Sequence, residues 1–273
     1  MKRDGFTLIE LLVVVAIVAV LTGLTLPVTG MVRAQGRQVN ETSAARQVIT
    51  AYLAAAAEND GQLLPGYGNF PASDEKGNAL HFPVSGRYPW RLAPYLGYDF
   101  GVLYGKVGDQ RLRLDRTHDE AAWQYSVSVS PAFGMNTMFV GGDYNSFPPD
   151  NPRSTAVYGQ FCLTRIAGAA SPSQLLVFAS AGFGDAASRV PGYFKVEAPN
   201  FTGRRWNAEY KAGAAPEAYG YVDFRHRDRA VAAMLDGHVE TLDFAQLNDM
   251  RRWSNQAAEL NDPAFYLGKN TQP

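Results

Sequence analysis

Residues 5–27, "GFTLIELLVVVAIVAVLTGLTLP", limit the chain more than any other stretch. From Phe6 to Leu26 it is nearly all Leu, Val, Ile and Ala, with no Lys, Arg or Asp. As a helix this run rises about 30 Å at about 1.5 Å per residue, the thickness of a bilayer core. One carboxylate, Glu10, stands in it, where a buried charge costs about 2.5–3.5 kcal/mol at a helix centre. Three readings of the residues stay open: a buried helix of a soluble body, a secretory signal peptide, and a retained anchor. Lys2 and Arg3 precede the run and Val32-Arg33-Ala34 resembles a signal cut site, but the run exceeds the 7–15 residues or so of a signal core. For an anchor, Lys2 and Arg3 place the N-terminus on the cytoplasmic side, against which Arg33 and Arg37 on the far side argue. A carboxylate in such a place needs a partner.

Helical character continues past Pro27, which in mid-helix removes one hydrogen bond and bends the axis. "NETSAARQVITAYLAAAAEND" is rich in Ala, and Val39, Ala45, Val48, Ile49, Tyr52, Leu53 and Ala56 recur at helical spacing. Asn59-Asp60-Gly61 is a helix stop. The expectation is one long helix from Phe6 to about Glu58, its second half packed on a globular body through contacts such as Tyr52 and Leu53.

The remaining chain has a different texture. It holds most of the 26 Gly, 16 Pro and 29 Tyr plus Phe, a mix that favours short strands joined by many loops. Residues 61–97 are read as ordered loop around a turn or helix at Trp90–Leu96. "LYGKV" and "RLRL" suggest short strands, as does "AAWQYSVSVSP" with Trp123, Tyr125, Val127 and Val129 on one face. Leu175 to Phe178 suggests a buried strand. Near the end, Asp236-Gly237 between apolar runs signals a hairpin with a type I′ turn, pairing Leu235 with His238, Met234 with Val239 and Val231 with Leu242. Net charge is −1, so no global field draws the chain to nucleic acid. Cys162 is the single cysteine, which excludes an internal disulfide.

Gly5-Phe6-Thr7-Leu8-Ile9-Glu10-Leu11-Leu12, behind a short basic leader, resembles the processing site of type IV prepilins and type II secretion pseudopilins. The resemblance covers roughly the first 60 residues. It implies a peptidase cut after Gly5, methylation of the new N-terminal Phe6, and a role in assembly for Glu10, whose carboxylate would meet the ammonium of a neighbouring subunit. Pro27 matches a proline common in that family's helix. His226 followed ten residues later by Asp236 and then Gly237 resembles the C-terminal His-x9-Asp-Gly signature of a pilin-like group, as do "PSQLLVFAS" and "WRLAPYLG".

The resemblance implies an α+β, pilin-like subunit. A leader would occupy 1–5, the transmembrane and assembly half of the helix 6–27, its periplasmic half 28–60, and a loop-rich body on an antiparallel sheet 61–273. Its function would be structural, as a subunit of a secretion pseudopilus or pilus-like fibre. Its place would be the bacterial inner membrane, single-pass with the body periplasmic, and later an extracytoplasmic fibre. Partners would be a prepilin peptidase, other pilin or pseudopilin subunits, an inner-membrane assembly platform and the lipid bilayer, with no cofactor and no nucleic acid. His226 would bond the turn or a loop backbone. Because major pseudopilins often hold calcium, Glu259, Asn261 and Asp262 in "ELNDPAF" offer oxygen ligands of the right kind, while a transition metal on His226, Asp236 and His238 is the less favoured reading. The competing classes are an anchored or secreted periplasmic binding protein and an enzyme. Enzyme candidates are His118 with Asp115, Asp119 and Glu120, or His226 with Asp228. Gly141-Gly142 and Gly66-x-Gly68 lack the strand–loop–helix context of a phosphate site, and no hydrolase elbow or zinc-helix motif occurs.

Overall fold

A computed structural model describes residues 7–104, 119–185 and 188–269, with backbone alone at 23–29. One helix, α1, runs Leu8–Glu58, through Pro27 and up to the expected stop. There Asp60 and Gly61 turn left-handed at φ 51° and 79°, and the Gly61 N–H donates to the carbonyl of Ala56 at 2.8 Å. The chain divides into two units, Met1–Val39 and Asn40–Pro273.

In the first unit every described side chain from Leu8 to Thr22 is exposed. Among the described residues no helix is long and apolar enough to cross a membrane.

The second unit is an α+β body with a four-stranded antiparallel sheet. Its strands are β1 (Phe133–Met135), β2 (Leu176–Ser180), β5 (Arg229–Met234) and β6 (Val239–Asp243), in the order β1-β2-β5-β6. A small ribbon, β3 (Gly182–Phe183) with β4 (Val190–Pro191), lies between β2 and β5 in the chain. Short helices fill the loops: α2 (Tyr88–Leu92), α3 (Phe100–Tyr104), α4 (Glu120–Val129), α5 (Pro152–Tyr158), α6 (Phe244–Leu247) and α7 (Asn255–Glu259).

Alternation along β5 gives the sheet two apolar faces. Val231 and Ala233 join the α1 residues Ala45, Val48, Ile49, Tyr52 and Ala56, and the Tyr52 and Phe178 rings meet edge-on at 5.4 Å. Ala230, Ala232 and Met234 face the other way, toward Leu176, Leu242, Leu247 and Trp253. Alanine on the helix side lets a helix lie close to the strand, with the aromatic bulk supplied by α1 and β2. Buried apolar area of this kind contributes about 25 cal/mol per Å².

Several expectations are corrected. The segment read as a strand from Trp123 is helix α4. Asp119 accepts from the Ala122 N–H at 2.9 Å as its N-cap, Trp123 and Val127 are buried four residues apart, and Tyr125, placed between them on the strand reading, is 45% exposed. Apolar residues at i and i+4 satisfy both periodicities, and the cap decides for helix. Leu103 and Tyr104 of "LYGKV" end α3; its remainder, with "RLRL", lies outside the described residues. The buried strand runs Leu176–Ser180 instead of 175–178. Val39, placed on the docking stripe of α1, is 61% exposed.

The hairpin is real but its register is one residue away from the expected one. Val231 pairs with Thr241 and Ala233 with Val239. The Gly237 N–H donates to Met234 O and the Met234 N–H to His238 O, both at 2.9 Å, leaving three residues in the loop. Only Gly237 has positive φ there, at 95°. This is a type I turn closed by a glycine bulge, not the two-residue type I′ turn. A type I′ turn does occur at the other end of β5. Arg227 and Asp228 take φ 53° and 61°, and His226 and Arg229 exchange backbone hydrogen bonds at 3.0 and 3.2 Å.

Candidate functional site

Two places carry the chemistry singled out by sequence: the start of α1 and the cluster around His226. Gly5 and Phe6 lie outside the described residues, as does the side chain of Pro27. Glu10 is exposed and folded back on the helix start. Its Oε2 accepts from the Thr7 N–H at 2.9 Å and the Thr7 hydroxyl at 2.8 Å, while the Glu10 N–H donates to Thr7 Oγ1 at 3.3 Å. This is a reciprocal capping box, which satisfies two of the unpaired N–H groups at a helix start. Within one chain, Thr7 is therefore the partner of the Glu10 carboxylate. The Thr-x-x-Glu spacing before an apolar run was the signal for it.

The second place is buried. Glu41, on the docking stripe four residues before Ala45 and seven before Val48, is 1% exposed. Arg225 embraces its carboxylate, with Nη2 to Oε1 at 2.8 Å and Nε to Oε2 at 2.9 Å. The Ser180 hydroxyl donates to Oε1 at 2.5 Å and accepts from the Val231 N–H at 2.9 Å, linking β2 and β5 at that point. His226 Nε2 lies 2.9 Å from Oε2. Burial alone would raise the carboxyl pKa, but the Arg225 charge and the hydrogen bonds from His226 and Arg225 prevail and hold it at about 2. An ionised carboxylate only accepts, so His226 Nε2 carries the proton and donates it. Arg225 also donates to the carbonyls of Ala181 and Ala132 at 3.0 and 2.8 Å and to Asp223 Oδ2 at 3.3 Å, and Asp223 in turn binds Arg189. Two buried carboxylates thus meet two guanidiniums.

The His226 side chain therefore bonds Glu41 of α1, where a bond to the hairpin turn or a loop backbone was expected, while its backbone pairs with Arg229. Asp236 lies at the far end of β5, where its Oδ1 accepts from the His238 N–H at 3.1 Å and lies 2.6 Å from His238 Nδ1. A Cβ at Gly237 would stand 3.3 Å from Leu53 of α1. The His-x9-Asp-Gly spacing is the length of β5 with a turn at each end, and both ends reach the same helix. Sequence reasoning missed Glu41, Ser180 and Arg225. The available signal was a lone acid on an otherwise apolar helical stripe.

The remaining candidates do not assemble. Among the described residues no group of three or more His, Cys, Asp or Glu could hold a metal, so His226, Asp236 and His238 form no such set. Each member of the proposed calcium trio already has a protein partner. Glu259 Oε1 accepts from Asn255 Nδ2 at 2.7 Å, Asn261 Oδ1 accepts from Arg251 Nη1 at 2.7 Å, and Asp262 binds Lys269. His118 and Asp115 lie outside the described residues; Asp119 caps α4 and Glu120 is exposed near Lys76. Asp228 accepts from the Tyr210 hydroxyl at 2.7 Å and is not joined to His226. Cys162 is fully buried, and burial with the nearby Asp143 charge pushes its thiol pKa up, which makes it inert.

Comparison with known proteins bears on the first of the two places. Residues 1–26 match the family model described as the prokaryotic N-terminal methylation motif. Neither the curated proteins nor the solved structures gave a match to the chain. The match ends before the body begins and includes the peptide and carboxylate singled out by sequence, Gly5, Phe6 and Glu10. The chain thus opens with a segment that matches a prokaryotic N-terminal methylation motif, ahead of a body whose long helix and antiparallel sheet are consistent with a pilin-like fold.

Proposed function

We propose that this chain is the precursor of a structural fibre subunit. A prepilin peptidase cuts after Gly5 and methylates the new amino group of Phe6, and the mature chain assembles through the helix behind it. The residues 1–26 match carries this reading. Before assembly the apolar stretch of 6–27 anchors the chain in the inner membrane, with the body on the periplasmic side. After assembly the same side chains, exposed from Leu8 to Leu21 in the single chain, pack against other copies. The fibre is a secretion pseudopilus or a type IV pilus, and the other partners are the peptidase and the inner-membrane platform.

Glu10 has the central role in assembly. Its Oε2 is held by Thr7 in the single chain and can exchange that neutral donor for the ammonium of a neighbour's Phe6. The Thr7 bonds already have an ionised acceptor, and an ammonium adds the attraction of an opposite charge to it. Pro27 bends the helix so that neighbours wind together. The test is Glu10→Ala in a host carrying the peptidase and assembly machinery. The variant should be inserted and cut like wild type while yielding few or no sheared fibres. Fibre yield equal to wild type would remove Glu10 from the mechanism.

A further inference from the structure

The extended segment after β4 sends alternate side chains outward. Tyr193, Lys195 and Glu197 are partly exposed, while Phe194, Val196 and Ala198 are buried between them. The Tyr193 ring lies 4.4 Å from that of Tyr221 with a 35° tilt, and 5.5 Å from Phe183. Beside the rings runs an ionic row, Lys195 Nζ to Glu197 Oε1 at 2.8 Å and Arg205 Nη1 to Glu197 Oε2 at 2.8 Å. Among the described residues neither Tyr193 nor Tyr221 has a partner for its hydroxyl. Both phenols are raised in pKa, chiefly by partial burial, so they remain neutral donors.

Tyr221 stands at φ 66°, a left-handed conformation that a bulky side chain strongly disfavours. Its backbone is fixed there, because its N–H donates to Pro216 O at 2.8 Å and its carbonyl accepts from the Gly182 N–H at 3.0 Å. Glycine would take this position without strain. What tyrosine adds is a partly buried ring packed on Tyr193, beside groups that have hydrogen-bonding capacity left over. Strain retained for a side chain that forms no hydrogen bond of its own points outward, to something the ring meets.

We propose that Phe183, Tyr193, Tyr221, Lys195, Glu197 and Arg205 form a stacking site for a hexopyranose polysaccharide. A pyranose has an apolar C–H face that covers an aromatic ring, and hydroxyls at its rim that take planar charged groups as donors and acceptors. Lys195 and Arg205 already pair with Glu197, and it is their remaining N–H donors that an apolar peptide would leave without acceptors. The surface lies on the body, so binding does not require fibre formation, and its failure leaves the processing of the N-terminus untouched.

Native affinity electrophoresis of the full chain in a polyoxyethylene detergent tests this, with hydroxyethyl cellulose as the neutral polymer and alginate as the acidic one. Wild type should be retarded in at least one gel. Tyr193→Ala and Tyr221→Gly should each raise the apparent Kd tenfold or more, while Phe82→Ala, an exposed aromatic outside the site, should not. Arg205→Gln, on a half-exposed side chain, should weaken retardation without touching the fold, and covers the case of a tyrosine variant that unfolds. Loss of retardation from the alginate gel alone would assign the site to acidic polymers through Lys195 and Arg205. No retardation in either gel, or retardation that the tyrosine and arginine variants keep, overturns the proposal.

Discussion

Replacing Glu41 with Gln removes one charge from the body while keeping nearly the same volume. The carboxylate is 1% exposed and takes donors from Ser180, Arg225 and His226. Its pKa falls from an ordinary 4.5 to about 2 on folding. At about 1.4 kcal/mol per unit, that difference corresponds to roughly 3 kcal/mol of stability at neutral pH. Breaking one side of a buried pair independently suggests about 3–5 kcal/mol. The lower end is expected here, because Arg225 keeps Asp223 and two carbonyls when Glu41 loses its charge. The sign with pH is set by the depressed folded pKa. The contribution is complete above about pH 4.5 and disappears as pH falls toward about 2. Denaturant unfolding of the full chain, monitored by the four buried tryptophans, Trp90, Trp123, Trp206 and Trp253, reads both effects. Glu41→Gln should lose about 3 kcal/mol at pH 7, and the gap to wild type should narrow between about pH 4.5 and about pH 2.5. A loss under about 1 kcal/mol, or a gap independent of pH, would refute the buried clamp.

The same geometry sets three other outcomes. His226→Ala should cost about 1–3 kcal/mol, the charge-assisted bond to Glu41, and a double-mutant cycle with Glu41→Gln should show coupling above about 0.5 kcal/mol. Gly237→Ala forces a Cβ onto a residue at φ 95° and toward Leu53, so it should destabilise by about 1–2 kcal/mol in the same unfolding assay. Thr7→Val removes the capping box and should cost about 1 kcal/mol locally, read as faster amide exchange in the first turn of α1 with the melting of the body unchanged.

The long helix was legible because its signals are local: an apolar run, an Ala-rich continuation and a Gly stop. The hairpin was legible for the same reason, but its register was not. Asp-Gly fits either a two-residue turn or the end of a three-residue loop. Hydrogen bonds from the Leu235 and Asp236 N–H groups to the carbonyls of Leu175 and Pro172 decide between them. Helix α4 was misread because Trp123 and Val127 satisfy two periodicities, and only the Asp119 cap separates them. At the site, Glu10 and His226 were identifiable as residues, but their partners were not. Thr7 is three residues from Glu10 and could have been found from the capping pattern. Glu41 and His226 are 185 positions apart, and no local rule joins a lone acid on a helix to a histidine before a strand.

The mass of the mature N-terminus tests the central reading most directly. The chain, expressed with a prepilin peptidase and digested, should yield a first peptide that begins at Phe6 and carries the added mass of one methyl group, as the residues 1–26 match implies. A mature chain that begins at Gln35, or that keeps Met1 to Gly5 in the presence of active peptidase, would contradict it.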